Sequence, residues 1–248
     1  MSTPLFGSTR TRVAGRHALI TPDGHVASVL PGMEKVRAVA HITPALGAGF
    51  AQYTLHIEAG GTANFSSRGS QHFFYVLQGK VVARARAEDR ALSPGEYLYL
   101  SPADAGSLRA GEDPAVVAVF AKEFVPQKDE APPASLFGRG ADVEGQPFLG
   151  NPKALLQVLL PDAPAWDMAV NVFTYQPGAT LPFVETHVME HGLLMLRGQG
   201  IYRLEEEWYP VTAGDVIWMA PHCPQWFVAM GDEPAAYLYY KDVNRPLL

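Results

Sequence analysis

The sequence predicts an all-β protein made of two tandem jelly-roll barrels, and two observations support this fold class. First, polar and apolar residues alternate in short segments such as Gln52–Glu58, as expected for a strand with one buried face. Turn residues separate these segments, and 23 glycines with 21 prolines are many for a helical protein. No long 3.6-residue apolar period is present, so we expect at most a short helix near Lys153–Leu160. The second observation is an internal repeat.

A constant spacing of 119 residues relates the two halves of the chain. The matching residues fall in predicted strands and predicted turns alike, which a local coincidence would not produce. The pairs are His72 and His191, Gly79 and Gly198, Gly95 and Gly214, Pro102 and Pro221, and Lys122 and Lys241. Each repeat unit holds short strands over about 100 residues, which fits one jelly-roll barrel.

The repeat divides the chain into four predicted parts. Residues 1–36 form an N-terminal extension that could pack on either barrel, and residues 37–126 form the N-terminal barrel. Residues 127–150 are rich in proline, glycine and charge, as linkers are. Residues 151–248 form the C-terminal barrel.

Composition excludes several classes of protein. A net charge of −6 argues against nucleic acid as the main partner, since nucleic-acid binding needs a basic face. No apolar run approaches the roughly 18 residues of a membrane span. The first residues lack the apolar stretch of a secretory signal, so we expect a cytoplasmic protein. A single cysteine, Cys223, excludes an intramolecular disulfide and a cysteine-rich zinc site, and we expect it to be a buried small apolar residue.

Three candidate metal ligands lie close together in the second repeat. Glu185 and His187 are two residues apart, so on a strand they point to the same face, with Cα atoms roughly 7 Å apart. His191 follows after a short turn that could return it to the same centre. A fourth ligand should come from the strand after Pro221, where either His222 or Gln225 could point inward. Imidazole and carboxylate donors suit Mn, Fe or Zn better than Ca.

These residues resemble the two-part cupin signature, G-x5-H-x-H-x3,4-E-x6-G followed by G-x5-P-x-G-x2-H. Gly178–Gly198 is similar to the first part and Gly214–Gln225 to the second, with the ligand types permuted. Glu185 replaces the first histidine, His191 the glutamate and Gln225 the last histidine. This permutation, together with YYKDVNR near the C-terminus, resembles the bicupin (S)-ureidoglycine aminohydrolase family of allantoin catabolism.

The resemblance implies a set of functional residues. The implied Mn²⁺ ligands, with other divalent metals possible, are Glu185, His187, His191 and Gln225. The implied substrate contacts are Tyr202, Tyr237 and Lys241. Glu185 and Lys241 are the candidate catalytic residues. We expect Glu190, beside His191, to point away from the site to the surface.

The resemblance also implies hydrolysis of (S)-ureidoglycine to (S)-ureidoglycolate and ammonia by a homo-oligomer in purine degradation. The first repeat keeps only His72 of the ligand pattern, so we expect the N-terminal barrel to be structural and without metal. Two alternatives remain open. One is a different metal-dependent cupin enzyme such as a dioxygenase, since two histidines and a carboxylate also bind Fe(II). The other is a cupin that binds a small molecule without catalysis.

Overall fold

A computed structural model of the chain describes residues 9–128 and 130–245. The outermost parts of the predicted extension and C-terminal barrel, and one residue of the predicted linker, lie outside this description. The described residues form strands and three short 3₁₀ helices, at Pro22–Gly24, Pro44–Leu46 and Gly140–Asp142. The predicted all-β fold is confirmed. The segment near Lys153–Leu160 is a strand, so the expectation of a short helix there was wrong.

Strands β1 to β12 are Arg12–Val13, His17–Ile20, Ala27–Ser28, Met33–Ile42, Ala51–Phe65, Ser70–Gln78, Val81–Ala85, Glu88–Leu92, Glu96–Leu100, Gly106–Ala110, Ala115–Glu123 and Leu136–Arg139. Strands β13 to β21 are Gln146–Phe148, Asn151–Val158, Met168–Tyr175, His191–Arg197, Gln199–Leu204, Glu207–Thr212, Val216–Met219, Gln225–Met230 and Ala235–Asp242.

The strands form one sheet system in each half of the described chain. In the first half the order is β12-β9-β6-β11-β5-β10-β7-β8, with β4 beside β5 and β3 beside β4. In the second half the larger sheet runs β1-β2-β19-β16-β21-β15-β14-β13, and β18-β17-β20 form a smaller one. Neighbouring strands are antiparallel, as in a jelly roll.

The two halves exchange a strand. β2, from the predicted extension, pairs with β19 of the second half, whereas β12, from the predicted linker, pairs with β9 of the first half. The first residues of these strands, His17 and Leu136, stand 119 residues apart, so the exchange is reciprocal between repeats. The predicted domain boundaries stay a prediction, but the sheets show which barrel each flanking segment joins.

Three apolar clusters hold the molecule together. One lies inside each barrel, and the third lies between the barrels, where Phe50, Phe73 and Phe120 meet Trp166 and Tyr240. Phe50 stacks on Tyr240 with ring centroids 4.1 Å apart. Burying large aromatic rings on both sides makes this contact a continuous core between the two halves.

The repeat is visible in backbone detail at Gly79 and Gly198. Both have positive φ, 69° and 71°, in the turn that follows a repeat-related strand. A Cβ at Gly79 would lie 2.2 Å from the Pro114 carbonyl oxygen, and one at Gly198 would lie 2.6 Å from the Cα of Ala235. Only glycine fits both the dihedral angle and the close approach.

Candidate active site

A cavity of about 230 Å³ lies inside the C-terminal barrel. Strands β13 to β17 and β19 to β21 line it, together with the irregular segment that leads into β16. The seven residues that the resemblance implied as metal ligands or substrate contacts all border this cavity: Glu185, His187, His191, Tyr202, Gln225, Tyr237 and Lys241. Their roles as ligands and substrate contacts stay predictions, but they line one small cavity.

Backbone pairing brings the first and last candidate ligands together. Glu185 N donates to the Gln225 carbonyl at 2.8 Å, and Gln225 N donates to the Glu185 carbonyl at 2.9 Å. A further bond, from His222 N to the His187 carbonyl at 2.7 Å, continues this pairing. The segment that carries Glu185 and His187 therefore runs alongside the start of β20, although it forms only an isolated bridge.

Two imidazoles and an amide converge at the centre of the site. The Nε2 atoms of His187 and His191 lie 3.0 Å apart, and Gln225 Nε2 lies 3.1 Å from His187 Nε2. His187 Nδ1 donates to the Met189 carbonyl at 3.1 Å. This bond fixes the tautomer, because the proton on Nδ1 leaves the Nε2 lone pair directed at the other two groups.

Tyrosines and a lysine form the remaining polar wall. Tyr202 OH donates to Gln225 Oε1 at 3.1 Å, and the hydroxyls of Tyr237 and Tyr175 lie 3.1 Å apart. Lys241 is paired across the sheet with His191. Since β21 alternates, Tyr237 and Lys241 face the same side and both reach the cavity.

Burial sets the protonation state of these groups. It lowers the pKa of His187, and it lowers that of His191 well below its usual value, with repulsion from His187 and Lys241 adding to the effect. Burial also raises the pKa of Glu185, while the positive charge of Lys241 opposes that rise. Both imidazoles are therefore neutral at pH 7, which is the form that binds a metal ion.

The donor set fits a divalent cation. Two ligands at about 2.1 Å from one ion and about 90° apart are separated by about 3.0 Å, which matches the distance between the two Nε2 atoms. A rotation of the Gln225 amide would present its oxygen to the same point and leave its NH2 facing Tyr202. In the described ranges, no three His, Cys, Asp or Glu side chains close around one point, and Glu185 stands on the wall of the cavity.

Comparison with known proteins supplies the family. The sequence-family model of the cupin domain matches residues 171–240, which contribute most of the cavity lining. The (S)-ureidoglycine aminohydrolase of Escherichia coli (strain K12) is 37% identical over 238 residues, which cover 93% of this chain and 90% of that protein. The chain belongs to the (S)-ureidoglycine aminohydrolase family. The Arabidopsis thaliana member is 36% identical over 244 residues, covering 97% of this chain and 80% of that one.

A solved crystal structure shows that the similarity also holds for the three-dimensional fold. The crystal structure of protein Ylba from E. coli superposes with a TM-score of 0.87 at 32% identity, covering 97% of each chain. The cupin fold expected from the signature is thereby confirmed, and so is the resemblance to the (S)-ureidoglycine aminohydrolase family. Among the described residues, no helix is long and apolar enough to span a bilayer.

The cavity of this family member is also lined by side chains that were not predicted, and two of them are Tyr239 and Phe173. Tyr239 is 7% exposed and lines the cavity between Tyr237 and Lys241 on β21. The alternation that placed those two residues on one face also contains Tyr239, so the sequence carried this signal. The other is Phe173, which comes from β15 and closes the apolar side of the cavity. No local pattern distinguishes it from ordinary core.

The structure shows where two residues near the candidate ligands lie, Glu190 and His222, for which the sequence made a prediction. Glu190 is 7% exposed and not on the surface, because the face pointing away from the C-terminal barrel is covered by the N-terminal half. His222, the alternative to Gln225 as fourth ligand, is exposed, with φ of 61° in the turn before β20. Cys223 is buried, as expected, and burial raises the pKa of its thiol to about 11.

Proposed function

We propose that this protein hydrolyses (S)-ureidoglycine to (S)-ureidoglycolate and ammonia. The observation that carries the proposal is the joint placement of two neutral imidazoles, an amide, a carboxylate and a lysine in one small cavity. Membership of the (S)-ureidoglycine aminohydrolase family supports the same substrate. A cavity of about 230 Å³ suits a compact polar molecule better than a polymer.

The ligands of the proposed metal are Glu185, His187, His191 and Gln225. We name Mn²⁺ as the ion, with other divalent cations as competitors, since nitrogen and oxygen donors suit Mn, Fe and Zn alike. When bound, such a cation supplies Lewis-acid polarisation of the substrate atoms that it touches.

The chain's own residues orient the substrate. Lys241 supplies a positive point charge for the substrate carboxylate, and Tyr237 supplies a hydroxyl for one of its polar groups. Tyr202 already donates to Gln225, so it acts on the substrate mainly through that amide. This arrangement presents one face of the central carbon to the cavity and is the source of the proposed preference for one enantiomer.

The reaction replaces an amine by a hydroxyl at that carbon. A water oxygen forms a bond to the carbon, the bond from the carbon to the amine nitrogen breaks, and the nitrogen takes one water proton and leaves as ammonia. Glu185 is the one carboxylate among the described residues that line the cavity. We assign to it the transfer of this proton, because a carboxylate that binds the metal through one oxygen keeps its second oxygen to accept and release a proton.

The N-terminal barrel is proposed to be a support without metal. At the repeat position of His191 it has His72, which is packed between Phe65 and Phe74 with ring centroids at 5.2 and 5.7 Å. The residue at the repeat position of Gln225 is Gly106, which has no side chain to bind an ion. The chemistry is therefore assigned to the C-terminal barrel alone.

Assembly and location complete the proposal. We propose a homo-oligomer, supported by the family resemblance and by sheet edges at β8 and β13 that end the described sheets. We propose a cytoplasmic location, which suits a protein whose single cysteine is a buried free thiol. Light scattering after size exclusion tests the first and cell fractionation the second.

The decisive experiment incubates Mn²⁺-loaded protein with freshly generated ureidoglycine under anaerobic conditions. Ammonia and ureidoglycolate are followed together, and both should rise in equal amounts above the spontaneous rate. Absence of product above that rate would overturn the proposed function. Oxygen uptake by iron-loaded protein would favour the dioxygenase alternative, whereas binding without turnover would favour an inert cupin.

A further inference from the structure

Glu190 joins the two barrels at the segment that carries the candidate metal ligands. Its Oε1 accepts a hydrogen bond from Gly49 N of the N-terminal half at 2.8 Å, and its Oε2 accepts one from Trp218 Nε1 at 3.3 Å. Its own backbone N donates to Asp242 Oδ1 at 2.6 Å. Both its side chain and its backbone are therefore held, immediately before His191.

The contact with Gly49 is closely fitted. A Cβ on Gly49 would lie 2.6 Å from Glu190 Oε1, so a larger residue at this position would displace the carboxylate. Gly192, which follows His191 on β16, is also in close contact with the N-terminal half, since a Cβ at Gly192 would overlap the Phe50 ring. The segment that leads into β5 thus contacts the chain on both sides of His191.

The repeat supplies an internal comparison. Gln71 stands 119 residues before Glu190 and also reaches across the interface, donating to Asp167 Oδ1 at 2.5 Å. Its Oε1 accepts from Tyr99 OH at 2.9 Å. The two repeats therefore use the same position for a reciprocal contact between barrels, but only Glu190 belongs to a segment that carries ligands.

We propose that Glu190 is a positioning residue through which the N-terminal barrel fixes the metal-binding segment 185–191. Resting on the proposed function, this inference gives the barrel without ligands a specific task in metal binding. With Glu190 anchored on Gly49 and Trp218, His191 and the Met189 carbonyl that orients His187 are held in place. Loss of such outer partners weakens metal affinity by about 10–100-fold in known sites.

The test compares Glu190→Ala and Glu190→Gln with Gln71→Ala, the matched variant of the other repeat. Glutamine keeps the acceptor for Gly49 N but places an NH2 against the indole N–H of Trp218, so it should be intermediate. The dissociation constant of Mn²⁺ is measured by calorimetry, and amide hydrogen exchange over residues 185–191 is followed in chelator-treated protein. Thermal unfolding of each variant measures the general loss of stability.

The expected result is a rise in the Mn²⁺ dissociation constant of about 10-fold or more for Glu190→Ala. Glu190→Gln should lie between that variant and the wild type, and Gln71→Ala should stay within about twofold of the wild type, although its thermal stability falls. Exchange over residues 185–191 should accelerate in Glu190→Ala and stay unchanged in Gln71→Ala.

Unchanged affinity and exchange in both Glu190 variants would overturn the proposal, and so would an equal loss of affinity in Gln71→Ala. If Glu190→Ala does not fold, Glu190→Gln alone decides. A wild-type protein that binds no Mn²⁺ would contradict the proposed metal, and hydrogen exchange would then decide the role of Glu190 by itself. Failure of the two proposals is therefore distinguishable.

Discussion

The backbones of Glu185 and Gln225 are joined by two hydrogen bonds of 2.8 and 2.9 Å, so the first and last candidate ligands occupy fixed relative positions. These two bonds form an isolated β-bridge, because Glu185 does not belong to a strand. The same pairing continues to His187 through His222 N. The positions of Glu185 and His187 are thus set by a few backbone hydrogen bonds outside the main sheets.

Replacing Glu185 by alanine should abolish metal binding and ammonia release together. The variant removes the one carboxylate of the described cavity lining, and a metal ligand cannot be replaced by the apolar wall beside it. We expect at least about 100-fold weaker Mn²⁺ binding, measured by metal analysis after dialysis. Glu207→Ala, an exposed change on β18 of the same barrel, is the control. Normal turnover in Glu185→Ala would contradict the site assignment.

Replacing Tyr202 by phenylalanine tests whether this tyrosine binds the substrate or supports a ligand. Its hydroxyl contacts the Gln225 amide and can accept from the NH2 once the amide oxygen faces the metal, so its loss should weaken Mn²⁺ binding by about 10-fold. Tyr237→Phe is the comparison, since that hydroxyl meets Tyr175 and should leave Mn²⁺ binding unchanged. A raised KM with unaltered metal affinity in Tyr202→Phe would instead show direct contact with the substrate.

Sequence alternation and the internal repeat predict the strands and the two barrels, whereas the residues of the cavity were implied by the family resemblance. Gln52–Glu58 forms part of β5 as predicted, and alternation along β21 places Tyr237 and Lys241 on the cavity face. Because the repeats are 119 residues apart, a turn identified in one repeat predicts the equivalent turn in the other, as the positive φ of both Gly79 and Gly198 shows. These features need no knowledge of which strands become neighbours.

Contacts between the repeats are what the sequence could not predict. Alternation correctly directs Glu190 away from the C-terminal barrel, but only the packing of the two halves shows that Gly49 covers that face. The exchange of β2 and β12 has the same origin, since each strand pairs with a segment far away in the chain. A local pattern does not contain such long-range partners.

Two buried histidines predict loss of stability in mild acid. Burial lowers the pKa of His41 to about 3 and that of His72 to about 4. In the unfolded chain an imidazole has a pKa of about 6.5, so between pH 6.5 and 4 the unfolded state binds more protons, and stability falls as pH falls. Each histidine should cost about 2 kcal/mol between pH 7 and pH 5.

The measurement is the free energy of urea unfolding at pH 7 and pH 5 in the presence of a chelator, which removes any contribution of bound metal. His72→Phe keeps an aromatic ring between Phe65 and Phe74 without a titrating group. Its loss of stability between the two pH values should be smaller than that of the wild type by about 2 kcal/mol. An identical loss in both proteins would show that His72 does not contribute.

Replacing Lys241 by methionine separates substrate binding from metal binding. Lys241 lines the cavity, so removing its charge should lower kcat/KM by about 10–100-fold, the range expected for a lost charged hydrogen bond. Mn²⁺ affinity should stay equal or rise, because a cation near the metal opposes its binding. Lys122→Met is the matched control from the other repeat, where the ammonium binds Asp167 Oδ2 at 2.9 Å and the change should reduce stability while leaving KM unchanged. If Lys241→Met retains wild-type kcat/KM, the substrate carboxylate is bound elsewhere in the cavity.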